Sequence, residues 1–83
     1  PASENVLRQL ALLLQANSST WVRFDVFVTD QASRGESESL SERRAEALRL
    51  FIENEGVAPG RIQSNPRGME RPLDPSSVEV NVY

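Results

Sequence analysis

The 83-residue chain has no cysteine, no histidine and no lysine. Without cysteine there is no disulfide, no thiol nucleophile and no thiolate-held zinc. Without histidine there is no imidazole base, no Ser-His-Asp triad and no side chain that ordinarily titrates near neutral pH. With lysine absent, all nine cations are arginine, whose planar guanidinium suits bidentate contact with carboxylates. The longest apolar run, Leu10–Leu14, is far short of the ~20 residues a membrane-spanning helix needs. No charged leader precedes an apolar stretch, so no signal peptide is expected. The net charge of -3 argues against a nucleic-acid domain, which ordinarily carries a basic patch.

Hydrophobic residues at 39% and charged residues at 25% give the composition of a folded soluble domain. The length predicts one domain, residues 1–83, within a longer protein. A chain this short buries only roughly 60% of its unfolded surface, which predicts stability near the low end of ~5–15 kcal/mol.

Ser3 is placed to cap a helix in which Val6, Leu7, Leu10, Ala11 and Leu14 recur at helical spacing. The polar cluster Asn17-Ser18-Ser19 ends it. Trp21 to Thr29 is β-branched and aromatic, with Val22, Phe24, Val26 and Val28 on one face. Phe27 interrupts the polar face and predicts partial cover there. Residues 30–38 read as a polar loop. Ser39-Leu40-Ser41-Glu42 has the pattern of a capping box, starting a helix that runs to about Glu55 and buries Leu40, Ala45, Leu48, Phe51 and Ile52. Gly56 supplies its left-handed end and Pro59 prevents continuation. Arg61–Ser64 reads as a short strand, Asn65-Pro66-Arg67-Gly68 as a turn and Ser77–Tyr83 as an amphipathic strand. The last two strands are expected to pair as a hairpin. The fold class is α+β: two helices packed on one face of a small mixed sheet, in the order α-β-α-β-β.

The chemistry concentrates between Thr29 and Ala45. Asp30 sits at a strand end, and Arg43 and Arg44 lie in the first turns of the following helix, whose amino terminus adds free N–H groups and partial positive charge. Asp30 can accept from an ammonium and Arg44 can grip a carboxylate, a pairing suited to a zwitterion. From the residues alone, a solvated loop with an Asp30–Arg44 salt bridge is the default reading. Asp30–Ser41 has the outline of a calcium loop, but Arg34 stands where a ligand is needed and Ser41 where a bidentate Glu belongs. Glu36 and Glu38 read as a solvated charge run. With no nucleophile–base pair and no metal-ligand set, neither an enzyme nor a cofactor is expected.

Thr29-Asp30, Leu40-Ser41-x-Arg43-Arg44-Ala45, Phe51-Ile52-x-x-x-Gly56-Val57 and Arg61-Ile62, followed by Gly68, Pro72 and Val78-Glu79-Val80, resemble the OmpA-like peptidoglycan-binding domain. The first helix, with Leu7, Leu10, Ala11 and Leu14, fits as well. The resemblance implies a non-catalytic domain of the periplasm of a Gram-negative bacterium, associated with the outer membrane. It also implies that the diaminopimelate head group of a peptidoglycan stem would sit between Asp30 and Arg44, with Ser37 at a third ligand-contact position.

Several positions depart from that family. Phe27-Val28 stands where a Gly-His pair is usual, Ser37 where an Asn is usual, Ser76-Ser77 where paired arginines are usual, and Pro66 where a Gly is usual. The loop to Arg44 is about one residue short, and the family's first strand has no counterpart before Ser3. Residues 77–83 are therefore expected to present an open edge suited to strand addition. The first reading is a domain that anchors a larger assembly at the wall. The alternative is a module that has lost wall binding and holds a protein partner through the 30–38 loop or the terminal strand.

Overall fold

The computed structural model describes residues 2–31, 33–71 and 73–83, with side chains from Glu4 onward. Ala32, Pro72 and the Ser3 cap lie outside what is described. The elements are α1 (Ala2–Ala16), β1 (Val22–Phe27), α2 (Arg34–Asn54), a 3-10 turn (Pro59–Arg61), β2 (Ile62–Gly68) and β3 (Ser77–Val82). The sheet order is β2-β1-β3, with β1 parallel to β2 and antiparallel to β3. Both helices pack on one face of this mixed sheet, as the sequence predicts.

The expected hairpin of the last two strands does not form. β2 and β3 lie on opposite sides of β1. β1 is buried along nearly its whole length, so N–H and C=O groups left unpaired on either edge would be costly. A strand on each side satisfies both edges. The predicted turn at Asn65–Gly68 is instead the second half of β2. Pro66 is tolerated because β2 is an edge strand, and a register shift between Val26 and Phe27 takes up the irregularity.

The core lies between β1 and the helices. Ala11 and Leu14 of α1 meet Val22, Phe24, Ile52, Val57 and Ile62, and Val26, Val28 and Ala45 form a second cluster against Leu40 and Leu48. Val6, expected in the buried stripe, is largely exposed, while Leu7, Leu10, Ala11 and Leu14 are the α1 residues that reach the core.

α2 begins six residues earlier than its sequence suggests. Its cap is Ser33, whose side chain accepts from the Glu36 N–H at 3.2 Å, and Ser39 and Glu42 are interior. The extra turn brings Ser37 and Ser41 onto the sheet, where both are buried. The other end matches the prediction. Gly56 takes φ +105°, its N–H donates to Glu53 O at 2.9 Å, and Val57 N–H donates to Ile52 O at 3.4 Å. This is the paired bonding of a Schellman end, with Val57 and Ile52 both in the core.

α1 has no basic residue in its last turn. Arg61 supplies that charge from the start of β2. Its Nε donates to Thr20 O at 2.8 Å, and its Nη2 donates to Asn17 O at 2.7 Å and also to Leu14 O. One guanidinium thus satisfies the carbonyls at the end of α1 and in the turn that follows.

On the helix-free face, Asp25 is only 2% exposed. Arg23 Nε and Arg67 Nε each reach its carboxylate at 3.0 Å, and Asn65 Nδ2 and Asn81 Nδ2 each at 3.4 Å. All three strands therefore contribute to one buried anion. Burial alone would push the Asp25 carboxyl up, but hydrogen bonds from Arg67, Asn65 and Arg23 outweigh it and hold it below the usual carboxylate range. Beside it, Phe27 is covered by the Arg71 guanidinium, 4.4 Å from the ring centroid, which is the partial cover the sequence predicts.

Two outcomes follow for stability. Arg61→Ala is expected to lower unfolding free energy by about 1.5–3 kcal/mol, since charged hydrogen bonds to the carbonyls at the end of α1 are lost. Urea titration with an unchanged slope checks this. The Asp25 contribution is fully present above the unfolded carboxyl value of about 3.9 and is lost as pH falls through the lower folded value. Asp25→Asn should therefore flatten the acid limb of the stability profile, and an acid limb identical to wild type would contradict the assignment.

Candidate functional site

The site is positioned by one residue, Gly68. Its N–H donates to Ser41 Oγ on α2 at 3.1 Å, and its carbonyl accepts from Val28 N–H, just beyond β1, at 2.9 Å. Ser41 Oγ in turn donates to Glu38 O at 2.8 Å. Gly68 has φ +55°, and a Cβ there would lie 2.9 Å from Glu38 Cγ and 3.3 Å from Glu38 Cα. Only glycine permits both the backbone conformation and the approach. This contact fixes where the end of β1 and the first turns of α2 stand relative to each other.

Beyond Val28, the chain is tied to the segment before β3. Thr29 N–H donates to Ser76 Oγ at 2.8 Å, and Thr29 Oγ1 donates to Asp74 O at 2.7 Å. Ser76 Oγ donates onward to Asp30 Oδ1 at 3.2 Å, and Gln31 Nε2 reaches the same oxygen at 3.3 Å. The Asp30 side chain is exposed. The Gln31 and Ser76 hydrogen bonds hold its carboxyl below the ordinary value, and the Arg44 charge adds to this. Asp30 is therefore a fixed anion at neutral pH.

Arg44 is exposed on α2. Among the described residues it forms no ion pair within 4 Å, unlike Arg67 and Arg71. The Asp30–Arg44 salt bridge that the sequence allowed is not made. Arg44 also borders an apolar groove of about 350 Å³ lined by Leu7, Ala47, Leu48, Phe51 and Val78.

Ser37 does not join this pair at the surface. It is fully buried, and its Oγ has no hydrogen-bond partner among the described residues. It lies one turn before Ser41 on the buried side of α2, so it is not an open ligand contact in this arrangement. The expected loop at 30–38 is also shorter, because Arg34–Glu38 are helical. Two contributors escaped the sequence reading. Ser76 reads in the sequence only as a missing cation, and Ser41 as a capping-box and motif residue with no bond to β2. Neither position carries a local signal, since both bonds cross more than 25 residues.

The two buried serines should respond oppositely. Ser37→Ala removes an unpartnered hydroxyl and is expected to be neutral or stabilising by about 1 kcal/mol. Ser41→Ala leaves the buried Gly68 N–H without an acceptor and should cost about 1–3 kcal/mol. Chemical denaturation of both variants checks the contrast, and equal losses would contradict the bonding described.

The OmpA family model matches residues 1–82. The chain is 38% identical over 80 residues to the sodium-type flagellar protein MotY of Vibrio parahaemolyticus, covering 95% of this chain and 27% of that protein. It thus spans about a quarter of that curated relative. Among solved structures, it superposes on the C-terminal domain of Helicobacter pylori MotB with a TM-score of 0.77 at 17% identity, covering 96% of this chain and 70% of that one. It superposes on the OmpA-like domain of FopA1 from Francisella tularensis with a TM-score of 0.78 at 13% identity, covering 95% and 60%. At these identities the two superpositions show a shared fold alone.

Proposed function

Because the chain belongs to the OmpA family, we propose that it binds the peptide stem of peptidoglycan and anchors a larger assembly at the cell wall. The observation that carries this reading is the Asp30–Arg44 pair: opposite charges, both exposed, close enough to sense each other and not paired to each other. A ligand bearing an ammonium and a carboxylate on one carbon, such as the diaminopimelate head group, complements that arrangement. Its ammonium would meet Asp30, already oriented by Ser76 and Gln31. Its carboxylate would meet the Arg44 guanidinium in a charge-assisted, bidentate contact.

On this reading the domain is the wall-facing module of a longer protein in the periplasm of a Gram-negative bacterium. The similarity to proteins named MotY and MotB supports a place in the cell envelope. The Ser37 hydroxyl contributes to the site only through the packing of α2. The alternative of a protein-holding module draws on Ser76, a neutral group standing beside Asp30 where the family usually has a cation.

The test is an NMR titration of the labelled protein with a soluble muropeptide containing diaminopimelate. Saturable shifts should centre on Asp30, Arg44 and Ser76. Arg44→Ala and Asp30→Asn should each weaken binding roughly tenfold or more in Kd. An unshifted spectrum at millimolar muropeptide would sink the wall-binding reading in favour of a protein partner.

A further inference from the structure

The connection from β2 to β3, residues 69–76, is fastened at two places. Near its start, the Arg71 guanidinium lies 4.4 Å from the centroid of the Phe27 ring and pairs with the Glu79 carboxylate. Phe27 ends β1 and Glu79 lies in β3, so one side chain reaches from the β2 side of the sheet across β1 to β3. Near its end, the connection meets the exit of β1. Thr29 Oγ1 donates to Asp74 O at 2.7 Å, and Thr29 N–H donates to Ser76 Oγ at 2.8 Å. A bond from Asp74 N–H to Arg71 O, at 3.1 Å, joins the two fastenings.

This arrangement decides how Asp30 presents its carboxylate. Ser76 Oγ accepts from a backbone N–H and, facing a carboxylate that can only accept, donates to it. Asp30 Oδ1 takes that bond and the one from Gln31. No side chain among the described residues donates to Oδ2, which leaves that oxygen for a ligand. The Arg71–Glu79 pair is about half exposed, at 49% and 44%, and such a pair adds little to stability. Its use lies in position. Leu73, in the middle of the connection, is 99% exposed and anchors nothing, so the hold on the near end comes from the guanidinium.

We propose that Arg71 is a positioning residue for the Asp30–Arg44 site. By clamping residues 69–76 over Phe27, it holds Ser76 where that hydroxyl aims Asp30 at a ligand's ammonium. The proposal deepens the wall-binding reading and rests on it for the identity of the ligand. It also joins two departures from the family pattern into one device. Phe27, where a glycine is usual, supplies the ring on which Arg71 lies, and Ser76, where a cation is usual, is the hydroxyl that the clamped connection delivers. With the clamp released, Asp30 is correctly aimed for only part of the time, and the apparent affinity falls by that fraction.

Full-length protein carrying 13C at its aspartate carboxyls tests the clamp with and without ligand. In ligand-free protein, Arg71→Ala should raise the pH midpoint of the Asp30 carboxyl, because the Ser76 bond that holds it down is loosened. The rise should be partial, since Gln31 and the Arg44 charge still act on it. Ser76→Ala should raise the midpoint as well, and Ser76→Thr, which keeps the hydroxyl, should restore it. Phe27→Leu keeps an apolar side chain but removes the ring face. It should match Arg71→Ala, and the double variant should shift no further than either single one. With a soluble muropeptide containing diaminopimelate, Arg71→Ala and Phe27→Leu should each bind about three- to tenfold more weakly, as expected if Asp30 is aimed only about 10–30% of the time. An Arg71→Ala variant with the wild-type midpoint and the wild-type affinity would overturn the clamp and leave the wall-binding reading standing. Wild-type protein that ignores the muropeptide, with the Asp30 midpoint still moved by Arg71→Ala, would overturn the wall-binding reading and uphold the clamp.

Discussion

β1 is the strand to which every other part of this domain is fitted. It is flanked on both edges, β2 on one side and β3 on the other. One face presents Val22, Phe24 and Val26 to the helices, and the other holds Asp25 and Phe27. A strand buried on both faces needs cover everywhere, and the chain supplies it by different means. Apolar packing covers the helix side. On the far side, guanidinium groups do the work: Arg23 and Arg67 bond to Asp25, and Arg71 lies over Phe27. The all-arginine composition has a structural use here, because a planar cation can both bond to a carboxylate and lie flat on a ring.

The elements that were legible in the sequence are those whose signal is local. The first helix, the central strand, the Gly56 end of α2 and the amphipathic last strand all follow from spacing and end residues. The misreadings share one cause. Ser33-Arg34-Gly35-Glu36 and Ser39-Leu40-Ser41-Glu42 both fit a capping box, and the pattern alone does not choose between them. The choice is made by Gly68, more than 25 residues away, which takes Ser41 as its acceptor. Asn65-Pro66-Arg67-Gly68 has turn chemistry, yet Asn65 and Arg67 are drawn into β2 by the buried carboxylate of Asp25. Asp25 itself looked like one of the outward polar residues of an alternating strand. Its burial depends on partners from β2 and β3 that no window around residue 25 contains.

The candidate site was legible to a similar degree. Asp30 and Arg44 stood out because a carboxylate at a strand end and a cation early in a helix are local features. Ser37 was expected beside them on the strength of a family position, and the earlier start of α2 turns it inward. Ser76 bonds to Asp30 across 46 residues, a link that only the closed sheet creates. Where the resemblance leads one to expect paired arginines, Ser76 instead accepts from the Thr29 N–H and donates to the Asp30 carboxylate.

On the wall-binding reading, Gly68 has a consequence for selectivity. Its N–H, bonded to Ser41 Oγ, and its carbonyl, bonded to Val28 N–H, lock the end of β1 to α2, so the spacing between the Asp30 carboxylate and the Arg44 helix position is set when the domain folds. A receptor built on that pair would act as a ruler. It would discriminate by the distance and handedness with which a molecule displays its two charges, and a flexible molecule of equal charge but different reach would gain nothing from electrostatic attraction alone.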